Sequence, residues 1–207
     1  MVVRDMLGRE QVVTQPFYAS GGLLAAGLRD YSYELGFERE NYGRVSNDYG
    51  RLVAAATERR GFSDSFTGEL HVEATHDQQT LGIGSTLLLG NVGVLTASVA
   101  GSHDRAGTGA LMELGIQHQS RYFSYGARTR LTTNGFVQLG YLPLSRPPRR
   151  TSSAFISTSV GRVGSLGVNY TQQAFRDQDD VELLGVNYSR SLGWLGYLSM
   201  SALQFLG

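Results

Sequence analysis

The amino-acid sequence predicts an all-β protein: an antiparallel transmembrane β-barrel segment of about eleven strands that forms part of a larger barrel. Three observations support this prediction. Polar and apolar residues alternate one for one, the alternation comes in bursts of about ten residues, and no stretch is long and apolar enough to cross a bilayer as a helix. Because side chains on a strand point alternately to opposite faces, each burst has one face suited to lipid and one suited to water.

The clearest strand is DYSYELGFE at residues 30–38, where aromatic and aliphatic side chains alternate with charged and hydroxyl side chains. A second, FTGELHVEAT at residues 66–75, repeats the pattern over the length that a tilted barrel strand needs. Clusters of Gly, Asn, Asp and Pro separate further segments of this kind. The expected strands lie near residues 28–38, 51–60, 65–75, 79–89, 93–102, 109–119, 122–132, 151–161, 164–173, 181–192 and 195–205.

The connections between these strands form two alternating sets. We expect tight turns at 61–64, 90–92, 120–121, 162–164 and 193–194, and longer, more polar loops at 39–50, 75–78, 102–108, 133–150 and 173–180. Short turns at one end and longer loops at the other are typical of outer-membrane barrels, whose short turns face the periplasm.

Aromatic residues predict two girdles at the membrane interfaces. The tight turns are expected to carry Phe62, Phe66, Tyr122, Phe123, Trp194 and Tyr197, and the opposite ends Tyr31, Tyr42, Tyr49, Tyr141, Tyr170 and Phe175. The alternative is a soluble β-sandwich, which has shorter strands and more Lys, Glu and Thr on its outward face.

Charge and motifs exclude several classes of function. Lys and Arg number 18, as do Asp and Glu, and neither sign forms a long run, so the footprint of a nucleic-acid-binding protein is missing. The sequence has no nucleophile elbow, P-loop or dinucleotide-binding motif, and it has no Cys. We therefore expect neither an enzyme nor a cofactor.

The histidine-containing segment His71-x-Glu73-x-x-His76 resembles a metal site only superficially. On a strand, His71 and Glu73 share a face, whereas His76 lies at the loop with the opposite parity. Arg128 and Arg130 share a polar face in the same way; they could tune the passage of a protein through a pore, or simply form a solvated inner wall. The candidate inward-facing residues are Glu34, Glu69, His71, Glu73, Arg128 and Arg130.

The first twenty residues differ from the rest. Two short strand-like runs flank Leu7-Gly8-Arg9, which is typical of a tight turn, so residues 1–20 are expected to end another small β element. Residues 1–8 lack the basic head, apolar run and cleavage site of an export signal. If the chain belongs to an outer membrane, we expect it to be a piece of a longer precursor or a product that does not reach that membrane.

The sequence resembles the outer-membrane ushers of the chaperone–usher pathway, which assemble fimbriae. The matching stretches are DMLGREQVVTQPFY at residues 5–18, GLRDYSYELG at 27–36, NYG at 41–43 and NDYG at 47–50. The resemblance extends to VELL at 181–184 and to the strand-and-turn rhythm of the whole chain. Its most specific part is the first segment.

The resemblance implies a large outer-membrane pore that is gated by a plug domain. Residues 1–20 would be the end of that plug, and residues 21–207 an incomplete set of translocation β-barrel strands. The plug remnant would include Leu7, Gly8, Arg9, Glu10 and Gln11. The implied partners are outer-membrane lipid, pilus subunits with their periplasmic chaperone, and the remaining portions of the usher; the implied location is the outer membrane of a Gram-negative bacterium.

Two other functions remain open at this point. A general porin-like outer-membrane diffusion channel would share the strand pattern but would lack a plug remnant at residues 7–11. A non-functional remnant of an usher would share both features. Neither pattern nor resemblance identifies the pilus system served.

We expect the isolated polypeptide to aggregate when it is expressed without detergent. An odd strand count leaves the first and last strands pointing the same way, so closure would need a parallel seam and both edges would stay open beside an apolar face. Size-exclusion chromatography after expression checks this. A monodisperse preparation in plain buffer would contradict the barrel prediction.

Overall fold

The structure is a computed structural model that describes residues 2–4, 10–12, 22–39, 45–140 and 147–206. A two-stranded antiparallel sheet is formed by β1 (Val2–Arg4) and β2 (Glu10–Val12). The second sheet has eleven strands. They are β3 (Arg29–Arg39), β4 (Tyr49–Ser63), β5 (Phe66–Thr75), β6 (Gln78–Leu88), β7 (Val94–Asp104), β8 (Gly107–Gln119), β9 (Phe123–Thr132), β10 (Arg150–Val160), β11 (Gly164–Ala174), β12 (Val181–Ser191) and β13 (Tyr197–Phe205).

The eleven strands form a simple meander, in which each strand pairs antiparallel with the strands before and after it in the chain. This confirms the predicted strand number and order. The soluble sandwich is wrong, because the strands belong to one sheet and the side chains of Tyr33 and Leu35 are 65% and 78% exposed. Among the described residues, no helix is long and apolar enough to span a bilayer.

The two ends of this sheet differ in their connections. We call one end the tight-turn rim; its connections are residues 64–65, 89–93, 120–122, 161–163 and 192–196. We call the other end the loop rim; its connections are residues 40–48, 76–77, 105–106, 133–149 and 175–180.

The expected loops at 75–78 and 102–108 are wrong, because each is a two-residue turn. Side chains close both turns: the amide of Gln78 donates to Thr75 Oγ1 at 3.0 Å, and the amide of Gly107 donates to Asp104 Oδ1 at 3.0 Å. Such local bonds replace the backbone pairing that a longer loop would lose. Strands β6, β7 and β8 therefore extend one or two residues farther toward the loop rim than the sequence pattern predicts.

Three tight turns repeat one design, Gly-x-(Val or Leu)-Gly, at residues 90–93, 161–164 and 193–196. In the first, Gly90 and Gly93 have φ angles of 55° and 127°, in the region that L side chains avoid. The hydroxyl of Tyr125 donates to the carbonyl of Val92 in this turn at 2.5 Å. The repeated design gives this rim its compact, well-bonded turns.

The placement of Tyr31 at the loop rim is wrong. Strand β3 begins at the tight-turn rim, where Arg29 pairs with Arg60 and Tyr31 pairs with Glu58. Which end of a strand meets which rim depends on its pairing, which alternation alone does not specify. Tyr42 and Tyr141 lie outside the described residues.

The two faces of the large sheet are inverted relative to a water-soluble protein. The inner face, defined as the face covered by residues 22–26 and 133–140, carries the buried polar side chains, including Thr67 and Thr80. The outer face carries exposed apolar side chains such as Leu81, which is 57% exposed. A sheet of this kind is stable where the outer face meets hydrocarbon and the inner face meets water.

Residues 133–140, here called the inner loop, pack against the inner face and form a small hydrophobic core. Phe136 is 1% exposed and clusters with Ala100 of β7 and Leu111 of β8. The close approach needs glycine: a Cβ on Gly109 would overlap the backbone at Phe136. The inner loop therefore packs directly against the inner face.

Substitution of Gly109 should detach the inner loop. We expect Gly109→Ala to lower the free energy of unfolding by about 1–3 kcal/mol, because the added methyl group overlaps backbone that cannot rotate away. Urea titration of the chain refolded in detergent measures this. Gly36→Ala is the matched control, since its Cβ would meet nothing within 4 Å; equal losses in both variants would contradict the packing described here.

Candidate functional site: the inner face

The structure places all six candidate inward-facing residues on the inner face. Cross-strand register explains this, since Glu34 pairs with Ala55, Ala55 pairs with Glu73, and Glu73 pairs with Thr80. Directly opposed residues share a face. The role of these side chains as the lining of a lumen remains a prediction.

Arg59 organises the inner face near the tight-turn rim. It is 7% exposed, and its guanidinium lies 3.2 Å from Asp30 Oδ2 and 3.6 Å from Glu69 Oε2. Its Nη2 also donates to the carbonyl of Gly22 at 2.8 Å. One arginine thus joins three strands to the chain segment that leads into the sheet.

That segment, residues 22–26, is here called the inner linker. The amide of Leu24 donates to Thr67 Oγ1, and the amide of Ala26 donates to Asp64 Oδ1, each at 2.9 Å. A Cβ on Gly61 would overlap the carbonyl of Ala25. The inner linker is therefore held against the inner wall before β3 begins.

His71 and Glu73 form a hydrogen-bonded pair. His71 Nε2 lies 3.2 Å from Glu73 Oε1, and its Nδ1 lies 2.6 Å from Thr57 Oγ1. His76 lies in the turn 76–77, away from the pair. The part of the chain that the structure describes contains no group of three His, Asp or Glu side chains able to hold a metal.

The arginine pair predicted from the sequence has an acidic partner that the sequence analysis missed. Arg130 Nε donates to Glu113 Oε2 at 2.7 Å, and Arg128 Nε lies 3.6 Å from Glu113 Oε1. Glu113 is on β8, directly opposite Arg130 on β9. The pairing neutralises much of the positive charge that the two arginines would otherwise present.

The inner loop is the second feature that sequence reasoning missed. Ser102 Oγ accepts from the amide of Val137 at 2.9 Å, Thr80 Oγ1 donates to the Val137 carbonyl at 3.0 Å, and Glu73 Oε2 accepts from the amide of Leu139 at 2.7 Å. These contacts cross β7, β6 and β5 in turn. The sequence signal that could have revealed it is Phe136, an aromatic residue in a polar loop that contains glycine. The neighbouring strands carry hydroxyl side chains that can bond to the backbone of such a loop.

A groove of about 670 Å³ opens on the sheet between β7 and β10. Its lining includes Gly93, Thr96, Gly115 and Gly126, with the ring of Phe155 beside them. A Cβ on Gly126 would lie 2.5 Å from the nearest atom of the Phe155 ring, so the glycine makes room for the aromatic side chain. The groove is a smooth depression with few charged groups.

At the loop rim, an ion-pair ladder joins neighbouring strands. Arg51 donates to Glu38 Oε2 at 2.7 Å and to Asp77 Oδ1 at 3.1 Å. The hydrogen bond from the Thr75 hydroxyl group and the nearby Arg51 guanidinium hold the pKa of Asp77 below its ordinary value. Asp77 therefore stays ionised near neutral pH and keeps the ladder intact.

The inner face is polar, but many of its charged side chains are paired with a side chain of the opposite charge. Its arginines are paired with carboxylates, and its most buried hydroxyl groups are hydrogen-bonded to backbone. Paired charges attract a passing polypeptide less strongly than isolated charges. The arrangement suits a wetted wall past which a large solute moves without binding tightly.

Of the proposed plug residues, Glu10 and Gln11 lie in β2, opposite Arg4 and Val3 of β1. Leu7, Gly8 and Arg9 lie outside the described residues. The hairpin agrees with two short strand runs near the N-terminus. Whether residues 1–20 belong to a plug remains a prediction.

Solved structures of a pilus usher have the same fold. A chain of the cryo-electron microscopy structure of the E. coli P pilus tip assembly intermediate PapC-PapD-PapK-PapG matches with a TM-score of 0.77 and 18% sequence identity, over 100% of this chain and 28% of that one. The structure of the P pilus usher (PapC) translocation pore matches with a TM-score of 0.71 and 18% identity, over 89% of this chain and 41% of that one.

No family model and no curated protein matches this sequence. The chain spans less than half the length of both usher chains. The likeness to them establishes the fold: an open, antiparallel, eleven-stranded sheet similar to part of the PapC barrel.

Glu73 should matter for stability more than other acidic residues of this face. We expect Glu73→Ala to lower the free energy of unfolding in detergent by about 1–3 kcal/mol, because it leaves the amide of the half-buried Leu139 without its hydrogen-bond acceptor. Glu34→Ala is the control: Glu34 is exposed and contacts only the Ser32 hydroxyl, so a change below about 0.5 kcal/mol is expected. Urea titration followed by circular dichroism compares the two. Equal losses would argue against the inner-loop contact.

Proposed function

We propose that this chain is a segment of a fimbrial usher, the outer-membrane pore through which pilus subunits are exported and assembled. The observation that carries the proposal is an inside-out sheet whose entire length superposes on a PapC chain with a TM-score of 0.77. The sequence resemblance at residues 5–18 and 27–36 supports the same family independently of the fold.

The outer face supports a position in a membrane. Leu81 and Ile83 of β6 and Met112 of β8 project from it and are more than half exposed. Contact with lipid would remove these side chains from water, which contributes about 25 cal/mol of favourable free energy for each Å² of apolar surface. An outer membrane of a Gram-negative bacterium is the membrane that β-barrels of this type occupy.

The inner face supports a passage rather than a catalyst. Its ion pairs, such as Arg130 with Glu113, link neighbouring strands of the wall. Transport through such a pore depends on its width and on displacement of a gate. We therefore infer that the chain is not an enzyme and needs no cofactor.

The strand directions support a larger barrel. β3 and β13 both run from the tight-turn rim to the loop rim, so they cannot pair with each other antiparallel. Closure needs an odd number of further strands between these edges. The remaining portions of an usher are the partners that would supply them.

The inner linker supports the assignment of residues 1–20 to the plug. Gly22 is held by Arg59 and Leu24 by Thr67, so residues 22–26 approach β3 along the inner face. A domain attached there would be positioned to close the pore. Pilus subunits delivered with a periplasmic chaperone would pass when that domain moves aside.

A chimera tests the proposal. Residues 1–207 replace the structurally equivalent part of PapC in an E. coli strain that lacks its own usher, and surface pili are counted by electron microscopy. We expect pili to form, because this chain has the fold of the PapC segment that it replaces. The control deletes Ile83, which inverts the faces of the rest of β6 and should abolish both insertion and assembly.

The chimera also separates the alternatives. A folded outer-membrane chimera that admits small solutes but assembles no pili would favour a porin-like channel. A chimera that fails to insert, while wild-type PapC inserts in the same strain, would favour a non-functional remnant.

A further inference from the structure

The tight-turn rim carries three exposed arginines that lie outside the close ion pairs of the described residues. Arg60 at the end of β4, Arg121 in the turn 120–122 and Arg190 near the end of β12 are all exposed. Among the ion pairs of the described residues, none within 4 Å involves these three side chains. Register places Arg60 and Arg190 on the outer face, opposite Arg29 and Leu198.

Two carboxylates of this rim, Glu58 and Asp64, have other hydrogen-bond partners. Glu58, on the outer face, accepts from Arg29 Nε at 2.8 Å and from the Tyr33 hydroxyl at 2.9 Å. Asp64, in the turn 64–65, accepts from the amide of Ala26. The outer side of the tight-turn rim therefore presents net positive charge.

The loop rim is different. There, Arg51 pairs with Glu38 and Asp77, and Arg149 lies 3.5 Å from Asp180. Other arginines there also have partners in the same chain: Arg105 lies 3.9 Å from Asp77, Arg150 donates to the side chain of Gln172, and Arg176 donates to the carbonyl of Pro147. The contrast means that the cationic character of the tight-turn rim is a local property and not a consequence of overall composition, which is balanced.

Aromatic side chains accompany these arginines of the tight-turn rim. The guanidinium carbon of Arg60 lies 5.7 Å from the ring centroid of Phe62, and that of Arg121 lies 5.4 Å from the ring centroid of Tyr122. Trp194, in the turn 192–196, is 93% exposed. A guanidinium over a ring keeps its N–H donors available for an anion, and aromatic rings favour the headgroup level of a bilayer.

We propose that the tight-turn rim is a docking surface for anionic phospholipid headgroups, with Arg60, Arg121 and Arg190 binding their phosphate groups. The proposal rests on the proposed function, which places the outer face in a membrane. Each guanidinium can grip a phosphate through two N–H donors. The rim thereby selects lipids by the charge of their headgroups as well as by the thickness of the bilayer that they form.

The spacing of the arginines selects lipid over a single small anion. They are separated by about four strands, which corresponds to roughly 20 Å along the rim. One phosphate ion cannot bridge them, whereas separate headgroups in one leaflet can. Apolar outer-face residues such as Leu198, opposite Arg190, continue directly from the rim toward the hydrocarbon.

Energy transfer from Trp194 measures the proposed contact. The full chain, in an uncharged detergent, is titrated with mixed micelles that contain dansyl lipid and either phosphatidylglycerol or phosphatidylcholine. Trp194 is the single tryptophan and lies in the rim itself. We expect tighter binding to phosphatidylglycerol by about fivefold for each arginine engaged, and loss of this preference at high salt.

Matched variants assign the preference to the rim. R60Q/R121Q/R190Q should lose the preference, by on the order of a hundredfold in total, whereas R60K/R121K/R190K should retain most of it. R105Q/R149Q/R150Q removes the same charge from the loop rim and should keep the preference. Circular dichroism verifies that each variant is folded.

Three outcomes would overturn the inference. The first is equal binding of phosphatidylglycerol and phosphatidylcholine, and the second is an equal loss of the preference in the two glutamine triples. The third is loss of the lipid contact of the unmodified chain when inorganic phosphate or polyglutamate is added at concentrations that leave the lipid contact of the lysine triple unchanged. Equal binding to both lipids would leave the membrane position intact and refute only the headgroup preference. Absence of transfer to either lipid would instead count against the proposed function.

Discussion

The satisfaction of backbone hydrogen bonds is the constraint on which the rest of this structure depends. In hydrocarbon, an unpaired amide or carbonyl costs several kcal/mol, so a membrane sheet must pair every strand with a neighbour. The meander does this for all strands except at the free edges of β3 and β13. The need for further strands, the proposed usher barrel and the expected aggregation all follow from those two edges.

The same constraint inverts the usual location of the hydrophobic core. Apolar side chains face outward, and the interior is held by hydrogen bonds and ion pairs that need partners because they are partly removed from water. Glu113 with Arg130, and Arg59 with Asp30 and Glu69, link adjacent strands in this way. The inner loop adds a small apolar cluster around Phe136 on an otherwise polar wall.

The two rims give the sheet a direction. Glycine-containing turns and arginines outside the close ion pairs lie at one end, and longer loops and the ion pairs of Arg51 and Arg149 lie at the other. The inner linker enters beside the tight-turn rim. In the proposed barrel, the plug attachment and the cationic lipid contact would therefore lie at the same end, which a symmetric sheet could not specify.

The alternation of polar and apolar residues was enough to predict the fold class, the number and approximate bounds of the strands, and the face on which Glu34, His71 and Arg128 lie. These properties follow from alternation, which is local and repeats every two residues. Tertiary structure alone decided that Arg130 meets Glu113, that Phe136 folds onto the wall and that Tyr31 lies at the tight-turn rim. Those contacts depend on register between strands and on loops that fold back across them, and a periodic pattern carries no information about which distant residues become neighbours.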